Sequence, residues 1–326
     1  MMNRKIFFTT LAAAALAMLA SGLAQGQAAY PTKPVRILVG ATAGGGTDIL
    51  ARMLAEKFGA AMKQTFVVEN KPGAANTLAA DATAKAAPDG YTLLLATNTG
   101  QAIAPHMLKL SYDPLKDLQP LGMVVVVPHV LLVGASEPAR DVKELVAAMK
   151  ARPAAYSYAS SGVGSTQHIA GEALNMAAGT KATHIPYKGS SAAHIDLIGG
   201  QVQIMLDTTS SAMAHVKSGK LRALAITAGA RSAELPNVPT MAEAGFGDVE
   251  MTTWYALYAT GGTPGPVVDQ LHAELRKALL LPDVQERLKG LAGQAGNLTL
   301  QQMTEFNRSE FERYGRLIKA AGIRAE

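Results

Sequence analysis

The chain alternates short apolar runs of strand length with longer stretches whose apolar residues recur at helical spacing. Residues 35–39, Val-Arg-Ile-Leu-Val, predict a buried strand that breaks into Gly44-Gly45-Gly46. Beyond the glycines, Ile49, Leu50, Met53, Leu54 and Phe58 predict a helix, with Thr47 as its N-cap and Asp48 at its positive end. Further strands are predicted over 65–69 and 91–96, followed by a long extended run over 121–133. Asp141 and Glu144 have the spacing of a capping box, opening a helix that runs to Ala151. A second βα series follows. Strands over 156–160, 183–187, 202–206 and 221–227 alternate with helices, one of which carries Ile169, Leu174 and Met176 on its apolar side. Thr240 and Glu243 predict another capped short helix, and residues 251–258 a strand that returns to the first series. Helices carrying Val268, Leu271, Leu275 and Leu279, then a restart at Pro282-Asp283, lead to a last helix capped by Thr299 and Gln302. Its stripe of Met303, Phe306, Phe311, Tyr314 and Ile318 suits core packing. The pattern predicts an α/β protein of two lobes: residues 29–125 plus 252–326 in one, 126–251 in the other.

Composition narrows this. Of 326 residues, 48% are hydrophobic and 17% charged, which describes a chain able to build a sizeable core. The amino terminus has the parts of a secretory signal over 1–28. Arg4 and Lys5 precede an apolar run over 6–20 and small residues, with cleavage sites after Ala24, Gly26 or Ala28. An uncleaved anchor is the competing reading, but the run is short for a membrane span. Removing Arg4 and Lys5 takes two from the formal net charge of +5, too little to point to nucleic acid. There is no cysteine, so disulfides, thiol chemistry and cysteine metal sites are excluded. The seven histidines are scattered without metal-ligand spacing, and no cofactor motif is present.

The chemistry lies in the turns. Strand, glycine turn and helix N-terminus make an anion site, because free N–H groups point outward and glycines let a ligand approach. By itself the first loop serves equally as a tight strand-to-helix turn. A second turn of the same kind, Ser161-Gly162-Val163-Gly164-Ser165-Thr166, follows the strand ending at Ser160 and opens another helix. Neither loop ends in the Gly-Lys-Ser/Thr of a phosphate loop, and the first lacks the dinucleotide spacing, so a small carboxylate fits better. Thr97-Asn98 and Asp207 lie at further strand ends, where open α/β sheets bind ligands. Asp48 suits a structural role at its helix end, since a carboxylate beside an anion site repels the anion. Asp207 serves equally to face a ligand or to cap a turn. Ser165 and His168 stand at i, i+3, but an N-cap serine has its oxygen occupied and no Gly-x-Ser-x-Gly elbow is present, so a serine hydrolase is disfavoured.

The motifs carry a family likeness. Tyr30-Pro31-x-Lys33-Pro34, Ala43 to Asp48, Val68-Glu69-Asn70-Lys71-Pro72-Gly73-Ala74 and Ala87-Pro88-Asp89-Gly90-Tyr91 occur in order. They are followed by Ser160-Ser161-Gly162-x-Gly164-Ser165-x-Gln167-His168, Pro186-Tyr187-Lys188-Gly189, Gly199-Gly200-Gln201-Val202 and Pro236-x-Val238-Pro239-Thr240. The chain resembles the Bug-type solute-binding receptors of tripartite tricarboxylate transporters. The resemblance implies a type II-like periplasmic binding-protein fold with a ligand cleft between two lobes, hinge closure, a small carboxylate ligand, membrane permease subunits as partners and a monomer that is not an enzyme. A ligand-sensing input module using the same cleft is the alternative. Carried over, the ligand contacts are Thr42, Ala43, Gly44, Thr47, Asp48, Thr97 and Asn98 from one lobe. Ser160, Ser161, Gly162, Gly164 and Ser165 come from the other, with Asp207 towards the far end. Gly40-Ala41-Thr42 departs from the aromatic-containing Pro-Phe-Pro usual before the glycines, which implies a more open wall there and a bulkier or more polar ligand.

Overall fold

The computed structural model describes residues 30–321, so the signal expected over 1–28 lies outside the described residues. Its first half is β1 (Val35–Val39), α1 (Gly46–Met62), β2 (Phe66–Asn70), α2 (Thr77–Ala84) and β3 (Thr92–Thr97). β4 (Leu118–Gly134) leads to α3 (Val142–Ala151), β5 (Ser157–Ser160), α4 (Thr166–Ala178) and β6 (Thr183–Pro186). Next come α5 (Ser190–Ile198), β7 (Ile204–Thr208), α6 (Thr209–Lys217) and β8 (Leu221–Ile226). The chain ends with β9 (Thr252–Thr260), α7 (Gly265–Leu280), α8 (Pro282–Gly290), the two-residue β10 (Gln294–Ala295) and α9 (Leu300–Ala321).

The strands form a mixed sheet in the order β2-β1-β3-β9-β4-β7-β5-β6. β1 pairs in parallel with β2 and β3, and β5 with β6 and β7, as βα crossovers require. The two parallel groups meet on β4. Its Leu118–Pro128 stretch runs antiparallel to β9, and from His129 it pairs with β7 and β8. The change of partner falls at Pro128, which has no N–H to give to a ladder. β4 is covered on both faces, which explains its nearly unbroken apolar sequence. Leu131 and Val133 enter one core with Leu145, Tyr158 and Leu174, whereas Val130 and Leu132 face Ala193, Leu197 and Met213 on the opposite side. Nearer its start, Leu118 and Met123 join the core beneath Trp254, Tyr258 and Met303.

The capping box of Thr299 with Gln302 closes as predicted; Asp141 caps its helix by accepting from Glu144 N–H, but the Glu144 carboxylate reaches one residue further back, to Arg140 N–H. Thr240 and Glu243 also exchange both bonds, but the expected helix is a single turn. Gly245 at φ +94° ends it, with Gly245 N–H donating to Ala242 O and Phe246 N–H to Met241 O, the pattern that closes a helix. The α1 start also differs. Gly45 is its N-cap, and the Asp48 carboxylate reaches back to Gly44 N–H at 2.9 Å, which leaves the Thr47 side chain free of capping. Among the described residues no helix is long and apolar enough to cross a membrane.

Candidate functional site

Four helix N-termini converge on one cavity of about 30 Å³. α1 brings Gly45, Gly46 and Thr47, and α4 brings Thr166 and Gln167. α5 brings Gly189 and Ser190, and α6 brings Thr208 and Ser211. Asn76, Thr97, Thr99, Ser161, Thr253 and Tyr255 complete the polar wall. Among the described residues no charged side chain lines it. Each helix N-terminus carries roughly half a positive charge on its unpaired N–H groups, so their convergence makes an anion site without a cation.

The two halves touch here. Gly46 N–H donates to Ser211 Oγ at 2.8 Å, and Thr166 N–H to Thr99 Oγ1 at 3.3 Å. Ser191 Oγ donates to Ala43 O at 2.9 Å and accepts from Thr42 Oγ1 at 3.4 Å. Glycine is required at these approaches. A Cβ at Gly189, which has φ +138°, would lie 2.5 Å from Thr42 Oγ1, and one at Gly46 would meet Ser210 Oγ and, at 2.9 Å, Tyr255 OH.

Beneath the wall Asp207 is fully buried. Its Oδ1 accepts from Thr208 N–H at 2.7 Å, Gln167 Nε2 at 2.9 Å and Ser190 Oγ at 3.0 Å. Its Oδ2 lies 2.8 Å from His194 Nε2. Burial alone raises the carboxyl pKa, but the bonds and charge of His194 and the Gln167 amide outweigh it and hold the group below the usual carboxylate range. Gln167 is tied at both ends, since its Oε1 accepts from Ser161 Oγ at 2.9 Å and Thr166 Oγ1 at 3.2 Å. Asp207 therefore fixes two cavity-lining groups, Gln167 and Ser190. His129, also fully buried, lies 2.8 Å through Nε2 from Thr253 Oγ1, and burial pushes its pKa down to about 4.

The second loop rests on a ring stack. His168 and His184 stack nearly parallel with centroids 4.0 Å apart, and the Tyr158 ring lies 5.0 Å from His184 and 6.5 Å from His168. His168 Nδ1 accepts from Gly164 N–H at 3.1 Å, and His184 Nε2 lies 2.6 Å from Ser160 Oγ. Burial and the neighbouring His168 lower the His184 pKa to about 4.

Of the residues singled out in the sequence, Thr47, Thr97 and Ser161 line the cavity. Thr42 and Ala43 meet Ser191 across the two halves, and Gly44 holds Asp48. Asp48 is buried against Arg52 and Asn70, a structural role. Asn98 donates to Thr252 O and Tyr314 OH, away from the cavity lining. Ser160 is bound to His184, and Ser165 caps α4 by accepting from His168 N–H at 3.2 Å. Gly162 N–H donates to Ser160 Oγ, and a Cβ at Gly164 would reach Met107 Sδ at 3.0 Å. Trp254 is core, with Nε1 donating to Glu310. Ala41, which stands where the aromatic is expected, lines the cavity, and beside it a Cβ at Gly40 would lie 2.6 Å from Asn76 O. The α5 and α6 N-termini went unassigned from sequence although Gly189-Ser190 and Thr208-Thr209 repeat the pattern of a strand, small residues and a helix.

The family of tripartite tricarboxylate transporter receptors matches residues 50–323. The chain belongs to that family. A UPF0065 protein of Bordetella bronchiseptica is 36% identical over 317 residues, covering 97% of this chain and 93% of that protein. The periplasmic binding protein BugD superposes with a TM-score of 0.87 at 36% identity, covering 91% of this chain and all of BugD (100%). Rpa4515 of R. palustris, solved with adipate, gives 0.86 at 32% identity, covering 90% and 99% of the two chains. MatC of Rhodopseudomonas palustris, solved with bound malate, gives 0.83 at 30% identity, covering 89% and 100%. As a receptor of this family the chain has the mixed α/β periplasmic binding-protein fold, with its cavity where the two parallel strand groups meet.

Proposed function

We propose that this receptor binds a small carboxylate in the cavity between its two halves and passes it to tripartite tricarboxylate permease subunits. The observation that carries this reading is the convergence of four helix N-termini on a polar cavity with no charged side chain among the described residues of its wall. An anion at one helix end gains roughly 0.3–1 kcal/mol, so four ends supply about 1–4 kcal/mol before direct hydrogen bonds are counted. The similar proteins solved with malate and adipate support the same ligand class. The halves act as lobes, residues 29–125 plus 252–326 and residues 126–251, that close on the ligand about β4 and the segment leading into β9. Binding raises the closed population because only that form offers all four helix ends at once. The stretch over 1–28 serves as a cleaved signal that exports the chain to the periplasm.

The site is one of binding and not of catalysis. Ser160 and His184 are hydrogen-bonded, but Ser160 is fully buried off the cavity wall, and a histidine with a pKa near 4 is a weak base at neutral pH. Thermal denaturation against mono-, di- and tricarboxylates and their methyl esters tests the proposal. A bound acid at about a hundred times its dissociation constant stabilises by about 2.7 kcal/mol, several degrees for a chain of this size. Stabilisation by an acid and not by its ester supports the reading; equal shifts from both, or none from any acid, refute it.

A further inference from the structure

Past Thr47, Asn76 and Thr97 the first half contains a second cavity of about 10 Å³, and these three residues line both cavities. Gln101 also lines this inner pocket. It is 1% exposed, and among the described residues neither its Nε2 nor its Oε1 has a hydrogen-bond partner. A buried amide with both ends unpaired is strongly disfavoured unless a guest pairs with it. Asn76 reaches the same pocket from a strained segment. Ala74, Ala75 and Asn76 have φ of +45°, +50° and +69°, a left-handed run that side chains other than glycine rarely adopt. Glycines make room for it: a Cβ at Gly40 would lie 2.7 Å from Asn76 Cβ, and one at Gly100 3.4 Å from it. The bond from Asn76 Nδ2 to Thr97 Oγ1 is long at 3.4 Å. Among the described residues no charged side chain lines the pocket.

We propose that this inner pocket is a specificity subsite for one small neutral hydrogen-bonding oxygen, with Gln101 and Asn76 as the residues that recognise it. The inference rests on the carboxylate reading of the outer cavity: the acid lies at the helix N-termini, and a hydroxyl on the ligand's carbon skeleton passes between Thr47 and Thr97. Two amides offer donors and acceptors but no charge, so they suit a hydroxyl and not a second carboxylate. The volume matches a group the size of one water molecule. A fixed water supplies the same chemistry from another source, and would satisfy the amides without discriminating among ligands.

The test is isothermal titration of the chain with matched pairs: propionate and lactate, succinate and malate, glutarate and 2-hydroxyglutarate, each also as methyl esters. In the pairs that bind, the hydroxy acid is expected to bind about tenfold more tightly or better, as a desolvated hydrogen bond to a waiting amide implies. Gln101→Leu should bring that ratio close to one while the plain acid's affinity changes by less than about threefold; Asn76 also lines the outer cavity, so Asn76→Gly is read by its ratio alone, which should likewise approach one. Asn76→Gly keeps the measurement available if Gln101→Leu fails to fold, because glycine adopts the left-handed backbone without strain. Equal affinities within every pair, the signature of a fixed water in the pocket, or a ratio that survives in both variants, which places recognition of the hydroxyl elsewhere, overturn the proposal. Hydroxy esters that bind as tightly as the acids while keeping the preference over plain esters retain the subsite and remove the carboxylate reading. No binding by any member removes both.

Discussion

Asp207→Asn keeps the shape of a fully buried group, removes its charge and turns one acceptor oxygen into an amide donor. Oδ1 accepts three short bonds, from Thr208 N–H, Gln167 and Ser190, and a longer one from Thr208 Oγ1 at 3.4 Å, and Oδ2 faces His194. Hydrogen bonds to a charged group contribute about 1.5–3 kcal/mol and neutral ones about 0.5–1.5 kcal/mol, so the three bonds together lose about 3 kcal/mol. The folded carboxyl is held below its ordinary pKa, so its contribution is complete above the unfolded value of about 3.9 and disappears as the pH falls through the lower folded value. Urea unfolding of wild type and Asp207→Asn should therefore differ by about 3 kcal/mol from pH 5 to 8, with the gap narrowing below about pH 4. Titration with the strongest acid of the carboxylate panel should show at least about tenfold weaker binding, since Gln167 and Ser190 both lose their anchor. A stability difference under about 0.5 kcal/mol at pH 7, or one that does not narrow in acid, refutes the reasoning, because the carboxylate is then not what organises the wall.

Other outcomes follow from the same contacts. His129 is held neutral, so its contribution is full above about pH 6.5 and is lost towards pH 4; wild-type stability should fall over that window by up to about 1.4 kcal/mol per pH unit from this group, and His129→Gln should flatten the slope in urea titrations. Gly46→Ala places a methyl against Ser210 Oγ and Tyr255 OH from outside α1. Calorimetry should show ligand affinity reduced by about tenfold or more and partly restored by adding Ser210→Ala, while an undiminished affinity would argue against closure through this contact. Gly171→Ala puts a methyl into the Tyr158 ring; urea unfolding should show about 1–3 kcal/mol lost, even though alanine is the better helix former.

Strand positions were legible because burial on both faces leaves nearly unbroken apolar runs such as β4, and Val35–Val39 interrupted only by the exposed Arg36. Two of the site's four helix ends were legible too, from the glycine turns before α1 and α4. The error at α1 is instructive: Thr47 has N-cap chemistry, but Asp48 one residue later reaches Gly44 N–H, and the helix begins earlier. Thr240 and Glu243 form their box, yet Gly245 stops the turn before it becomes a helix, so a start signal gave no information on length. Gln167 looked like an ordinary first-turn residue; its importance comes from Asp207, 40 residues away, and Ser161. Asn76 and Tyr255 carry no local signal, because they enter the cavity through the packing of Gly40 and the pairing of β9.

β4 has a consequence for how the molecule comes apart. One strand supplies side chains to the cores of both halves and pairs with β9 on one stretch and with β7 and β8 on the next. Neither half owns it. Excising residues 126–251 would cut through the middle of a ladder and expose an apolar edge, so that fragment should collapse without a unique fold or aggregate. The intact chain, in contrast, should melt in one cooperative transition, with both halves losing their structure together.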